Sequence, residues 1–164
     1  MSEQGMRKAV TKMLKPLNAI SVENPVLPGT PDVNYVEGWI ELKWIRAWPK
    51  GEDTPVRIEH YTPQQRVWAL RRRRAGGRCW WLLRCRSEWL LLDGADAALV
   101  VNTEGCNKTK LIEVAVKYWP KSIDQKELIE CLTREPKNFT LAGDAELKLR
   151  RLLLNGTASP SENT

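Results

Sequence analysis

The fold is decided by residues 28–43, which read PGTPDVNYVEGWIELK. Apolar and polar residues alternate through its second half, as is typical of a β-strand with one buried face. We expect one strand from Asp32 to Val36 and a second from Trp39 to Trp44. The pair Glu37-Gly38 then forms the tight turn of a hairpin.

Three charged side chains share one face of this predicted hairpin. Because side chains alternate along a strand, Glu41 and Lys43 lie on one face, and the residues between them point into the core. With the turn at 37–38, Asp32 lies opposite Lys43 and diagonal to Glu41 on the same face. A hairpin whose charges are simply solvated is the alternative interpretation.

The chemistry of these side chains favours a metal site. Neighbouring carboxylates repel each other, which favours a divalent cation between Asp32 and Glu41. Oxygen ligands suit Mg²⁺, and Mn²⁺ is expected to substitute for it. A lysine beside such an ion, here Lys43, orients water or stabilises charge on a phosphate. These are the parts required for metal-assisted hydrolysis of a phosphodiester.

Helices are predicted on both sides of the hairpin. The first runs from Gln4 to Lys15, with Ser2 as its cap and Glu3 in its first turn. The second opens at Thr62-Pro63 and ends at Gly76-Gly77. A strand pair, Arg78 to Arg84 and Trp89 to Leu92, follows and turns at Arg86-Ser87. Residues 95–100 form a short helix or strand.

The rest of the chain is predicted to be helical. Its three segments are marked by Ile112, Ala115, Val116 and Trp119, then by Leu128, Ile129 and Leu132, then by Leu147, Leu149, Leu152 and Leu153. We therefore divide the chain into a core, residues 1–105, a helical C-terminal extension, residues 106–156, and a disordered tail, residues 157–164. The extension packs on the core or forms a dimer face.

Composition narrows the class of protein. The formal net charge of +6 favours a polyanionic partner such as nucleic acid. The sequence contains no run of about 18 apolar residues, so no membrane-spanning helix is predicted. The first fifteen residues lack the apolar core of a secretory signal, so we expect a cytoplasmic protein. The four cysteines have no zinc spacing, and the single histidine, His60, leaves little room for a Ser-His-Asp or Cys-His mechanism.

The pair Pro31-Asp32, followed by Glu41-Leu42-Lys43, resembles the signature of the PD-(D/E)XK nucleases. From about Gly29 to Leu92 the chain resembles the VRR-NUC branch, small stand-alone nucleases of phages and bacteria. The likeness lies in the Gly-x-Pro-Asp start, the Ile-Glu-Leu-Lys strand and the helix that begins TPQQRVW, residues 62–68. Members of that branch carry a glutamine in this helix, and Gln65 matches it by spacing, with Gln64 as the competing choice.

The resemblance implies an α/β fold with a restriction-endonuclease-like core of αβββαβ order. It also implies Mg²⁺ held by Asp32, Glu41 and the carbonyl of Leu42. Related Holliday junction resolvases add a glutamate from the first helix, for which Glu3 is the match and Glu23 the fallback. Homodimers are common among such nucleases. Lys43 would position the attacking water, and Gln65 would support the lysine or the substrate.

Basic residues on the second helix are the expected nucleic-acid contacts. Arg72 is the first choice, because it lies seven residues beyond Gln65 and so shares its helix face. Further contacts are expected from Arg71, Arg66, Arg74 and Arg46. Trp48, in a loop beside the site, is a candidate for stacking on a base.

We therefore expect a Mg²⁺-dependent DNA endonuclease that prefers branched DNA, as a Holliday junction resolvase does. A general or nicking nuclease acting on linear or single-stranded DNA is the second interpretation. A non-catalytic DNA-binding module on a nuclease-like fold is the third.

Overall fold

The computed structural model describes residues 2–139 and 150–151. Within them, six strands form one mixed sheet in the order β1-β2-β3-β4-β5-β6, flanked by helices. The α/β class is therefore confirmed. The elements are α1 (Glu3–Met13), β1 (Ile20–Ser21), β2 (Val33–Tyr35), β3 (Gly38–Ile45), α2 (Pro63–Arg74), β4 (Arg78–Cys85), β5 (Glu88–Asp93), α3 (Gly94–Val100), α4 (Lys108–Val114), β6 (Lys117–Trp119) and α5 (Gln125–Thr133).

The hairpin of β2 and β3 forms as predicted, but its turn lies one residue earlier. Tyr35 pairs with Gly38, so the turn is Val36-Glu37 rather than Glu37-Gly38. Gly38 is needed inside the sheet, because a Cβ there would lie 2.7 Å from the Cβ of its neighbour on β4, Arg78. The pairing with β2 shifts by two residues, which preserves the faces.

Two further pairings extend the sheet from β3 to β5. Strands β3 and β4 run parallel over eight residue pairs, from Gly38 with Arg78 to Ile45 with Cys85, and α2 lies between them in the chain. Strands β4 and β5 form the predicted hairpin, whose turn at Arg86-Ser87 is confirmed by the pairing of Cys85 with Glu88. The order of elements from α1 to β4 is αβββαβ.

The segment expected as one helix up to Trp119 is only partly helical. Helix α4 ends at Val114, Ala115 adopts an extended backbone, and β6 then pairs with the edge of β5. This pairing satisfies backbone groups that a continuous helix would leave exposed on β5. The short segment 95–100 is helical, as α3. The third predicted segment, apart from residues 150–151, and the tail at 157–164 lie outside the described residues.

Both faces of the sheet are covered. On one face, Met6 and Val10 of α1 and Leu128 of α5 pack against Ile40 and Leu42 of β3. On the other face, α3 and α4 pack against β4 and β5. Strand β6 extends the sheet, and α5 packs in the same core cluster as α1. The described part of the C-terminal segment therefore packs on the rest of the fold. The division of the chain at residue 105 stays a prediction. No helix of the described residues is long and apolar enough to cross a membrane.

Helix α2 is held at both ends. Thr62 caps its first turn in a reciprocal capping box with Gln65. At its last turn, the buried guanidinium of Arg73 donates from Nε to both carboxylate oxygens of Asp93, at 3.0 and 2.9 Å. Asp93 also caps α3 by accepting from the N–H of Ala95. These contacts set the position of Gln65 relative to the sheet.

We expect Asp93→Ala to destabilise the protein by about 3–5 kcal/mol, because it leaves the Arg73 guanidinium buried without its carboxylate. Urea unfolding measures the change. The control is Glu135→Ala, which removes an exposed partner of Arg78 and should have little effect. Equal unfolding free energies for Asp93→Ala and the wild type would contradict the role given to this pair.

Candidate active site

Asp32 lies where β2 begins, and its side chain takes the place of a backbone partner for β3. Its Oδ2 accepts the N–H of Leu42 at 2.9 Å. In a strand, the N–H and C=O of one residue point to the same edge. The carbonyl of Leu42 is therefore directed to the side on which Asp32 lies, as the expected ligand role of that carbonyl requires.

The other oxygen of Asp32 is occupied by an arginine that sequence reasoning did not select. Arg7 of α1 donates from Nη2 to Oδ1 of Asp32 at 2.5 Å and from Nη1 to Glu23 at 3.3 Å. Its Nε is buried without a hydrogen-bond partner. The one sequence signal is that Arg7 follows Glu3 by four residues, which puts both on one face of α1.

Glu41 and Lys43 form a buried ion pair on the face predicted for them. The Nζ of Lys43 lies 2.6 Å from Oε1 of Glu41, and each side chain is exposed by less than a tenth. Gln65 donates from Nε2 to the same Oε1 at 2.7 Å, so the structure places Gln65, not Gln64, at this carboxylate. Lys43 also donates to the backbone carbonyl of His60 at 3.0 Å.

Burial makes both carboxylates hard to ionise. It raises the pKa of Glu41 to about 7, against the opposing effect of Lys43, and the charge of Asp32 adds to the increase. Burial also raises the pKa of Asp32, although the N–H of Leu42 and Arg7 favour its charged form. The charge of Glu3 raises both pKa values further, so Glu3 lies within electrostatic range of both acids.

The Gly-x-Pro-Asp start of the motif has a steric origin. Gly29 has a φ of +88°, which L side chains rarely adopt. A Cβ at Gly29 would lie 2.6 Å from the backbone oxygen of Gln64 in the first turn of α2. Only glycine lets the chain before Asp32 pass this close to the helix that carries Gln65.

The structure thus brings Asp32, Glu41, Leu42, Lys43 and Gln65 together. Glu3 is exposed at the start of α1, and Glu23, its alternative, binds Arg7 instead. No group of three His, Cys, Asp or Glu side chains in residues 2–139 and 150–151 is arranged to hold a metal ion. The expected donor set is of another kind, two carboxylates and a backbone carbonyl. These are hard oxygen ligands, and a divalent cation would offset the repulsion between the acids, so the set fits Mg²⁺ in chemistry.

The arginines of α2 divide into two groups. Arg66 is buried, and its guanidinium donates to the carbonyls of Ala98 and Val101. These bonds tie α2 to α3, which corrects the expectation that Arg66 contacts nucleic acid. Arg72 is exposed, with its guanidinium 4.8 Å from the ring centre of Trp68 and 5.7 Å from that of Trp39. The other exposed arginines of the prediction are Arg71, Arg74 and Arg46.

Trp48, the candidate for stacking on a base, is partly buried and makes contacts within the protein; the stacking itself stays a prediction. Its indole N–H donates to Glu88 at 2.8 Å, and the Nζ of Lys108 lies 5.1 Å from the centre of its ring. Both contacts are within the protein. They attach the loop after β3 to β5 and to α4.

No protein-family model matches this sequence, and a search of curated proteins finds no relative. Function is therefore inferred from the geometry of the site and from the resemblance of its motif.

We expect Glu41→Gln to change how stability depends on pH. The pKa of Glu41 is raised in the folded state from its usual 4.5 to about 7, so folding favours the protonated form. The wild type therefore loses stability as pH rises from about 4.5 to 7, by roughly 3 kcal/mol for this one group. The variant lacks this loss, because glutamine does not titrate.

Urea unfolding in EDTA between pH 4.5 and 8 measures the effect. Glu52→Gln, which changes an exposed acid in a loop, is the control and should follow the wild-type curve. Parallel curves for Glu41→Gln and the wild type would contradict the raised pKa.

Proposed function

We propose that this protein is a Mg²⁺-dependent DNA endonuclease, selective for branched DNA, on a restriction-endonuclease-like core. The observation that carries the proposal is the contact of Lys43 and Gln65 with one oxygen of buried Glu41, beside Asp32 on the neighbouring strand. The αβββαβ order from α1 to β4 supports it, because the resemblance implies that order. Mg²⁺ is the proposed cofactor, with Mn²⁺ able to replace it.

In this proposal the ligands are Asp32, Glu41 and the carbonyl of Leu42, with Glu3 in support. A bound Mg²⁺ supplies Lewis-acid catalysis and lowers the pKa of a coordinated water. The other side chains orient these groups. Gln65 fixes the rotamer of Glu41, and Lys43, held by the carbonyl of His60, presents its ammonium to the attacking water or the phosphate.

Charge supports a nucleic-acid substrate. The chain carries 26 lysines and arginines against 20 acids, and Arg71, Arg72 and Arg74 are exposed on the helix that carries Gln65. Arginines in such a position suit phosphate oxygens. A homodimer, with two active sites, would suit two-fold symmetric cleavage of a four-way junction.

One observation favours a second candidate, a DNA-binding protein without catalysis. Both acids are already paired with cations of the protein, Asp32 with Arg7 and Glu41 with Lys43. A site neutralised in this way does not repel DNA, so it is compatible with binding alone. Binding that is indifferent to Mg²⁺, together with no cleavage in Mg²⁺ or Mn²⁺, would favour this candidate.

We expect Asp32→Asn and Lys43→Met each to reduce cleavage at least 100-fold, because one loses a metal ligand and the other the cation at the reacting water. DNA binding should remain within about threefold of the wild type. The matched controls are Asp53→Asn and Lys50→Met, which make the same changes at exposed loop positions and should retain full activity.

The assay incubates each protein with a four-way junction, a flap, a duplex and a single strand, each with Mg²⁺. We expect the wild type to cleave the junction fastest. Preferential cleavage of the linear or single-stranded substrate would replace branch selectivity by general nuclease activity. Full activity of both Asp32→Asn and Lys43→Met would contradict the proposed site altogether.

A further inference from the structure

A cleft of about 510 Å³ runs along the outer side of α1. The wall on one side includes the basic side chains of Arg7, Lys8 and Lys12 on α1 and of Lys15, which begins the short 3-10 helix Lys15–Leu17 after α1. Ser21 of β1 and Glu23 lie across from them.

The three lysines of this cleft are available to a ligand. Lys8, Lys12 and Lys15 are exposed, and none forms an ion pair with another described residue. Other lysines, including Lys43, Lys108 and Lys117, each contact a glutamate. The fold thus leaves a row of uncompensated positive charge facing a cavity.

The spacing of the row suits a chain of phosphates. Lys8 and Lys12 are four residues apart and share one face of α1, and Lys15, three residues further in the short 3-10 helix, lines the same cleft. At 1.5 Å per residue the row is about 10 Å long. One strand of DNA presents a phosphate about every 3.4 Å of rise, so this length corresponds to about three phosphates.

The inner end of the cleft reaches the candidate active site through Arg7. Its guanidinium contacts Asp32 on one side and Glu23 on the other. The contact with Glu23 is weak, since that side chain is 85% exposed, and the Nε of Arg7 has no partner. A phosphate that enters the cleft could replace Glu23 at Nη1 of Arg7 and form a charge-assisted hydrogen bond there.

Fewer of the arginines on α2 are free to contact a phosphate than their number indicates. Arg66 and Arg73 are buried in contacts with α3 and Asp93, and Arg72 lies against two tryptophan rings. Only Arg71 and Arg74 of that run remain exposed without these contacts. The α1 cleft, by contrast, combines unpaired charge, concave shape and a lining residue, Arg7, that contacts Asp32.

We infer that the α1 cleft binds the phosphodiester backbone of the DNA substrate and directs one phosphate to Arg7, beside Asp32. The inference deepens the proposed function and rests on it for the identity of the ligand. Arg7 is then a positioning residue, since it leads the phosphate to the carboxylate that it also holds in place.

The test measures binding of fluorescently labelled four-way junction DNA by anisotropy, in EDTA so that no cleavage occurs. The triple variant Lys8→Gln, Lys12→Gln, Lys15→Gln should bind at least tenfold more weakly at 100 mM salt. The slope of log K against log salt should fall in magnitude by about 2.7, as expected for the loss of three phosphate contacts.

The matched control is Lys50→Gln, Lys110→Gln, Lys137→Gln, which removes the same charge at exposed lysines that do not line this cleft. It should bind within about threefold of the wild type. Equal weakening of the two triple variants would attribute the effect to net charge alone and would overturn the inference. Wild-type binding by the cleft variant would overturn it as well. Thermal unfolding checks that both variants fold.

The outcomes for the cleft and for the nuclease are separable. If the protein cleaves DNA in Mg²⁺ but its binding does not depend on the cleft lysines, the proposed nuclease activity is supported and the inferred role of the cleft is refuted. If binding depends on the cleft lysines but no cleavage occurs in Mg²⁺ or Mn²⁺, the inferred role of the cleft is supported and the proposed nuclease activity is refuted.

Discussion

The pair of Glu41 and Lys43 is the constraint around which the sheet is built. Only 5% and 4% of these residues is exposed, and burying an ion pair costs several kcal/mol for each charge. The fold offsets this cost with specific partners, since Gln65 contacts the glutamate and the carbonyl of His60 contacts the lysine. Because a hydrophobic pair is often as stable or more so, stability alone does not account for the buried charges.

Much of the sheet follows from local sequence. Alternation predicts the hairpins of β2 with β3 and of β4 with β5, and the second turn is placed correctly at Arg86-Ser87. The first turn is misplaced because Gly38, a favoured turn residue, is required instead where β4 passes close to β3. Strands β1 and β6 have two and three residues, and unlike β2 neither is joined to its pairing strand by a tight turn. Each is recognisable only through its pairing with a strand that is separated from it in the sequence.

The candidate site likewise contains residues that local sequence predicts and residues that it does not. Strand alternation places Glu41 and Lys43 on one face, whereas Asp32 precedes β2 and reaches the edge of β3. The steric demand at Gly29 explains the Gly-x-Pro-Asp start. Arg7 could not be selected, because its contact with Asp32 spans 25 residues of chain and depends on how α1 packs. Arg66 was misjudged for a related reason, since its partners on α3 lie 32 and 35 residues away and no local pattern separates it from its exposed neighbours.

The most direct test of the account is the position of a divalent cation. Crystals of the protein grown without metal and soaked in Mn²⁺ would locate the ion by its anomalous scattering. We expect a peak bounded by Oδ1 of Asp32, the carboxylate of Glu41 and the carbonyl of Leu42, with Arg7 displaced from Asp32. Absence of a peak there, with the pair of Arg7 and Asp32 intact at a Mn²⁺ concentration that supports cleavage, would contradict it.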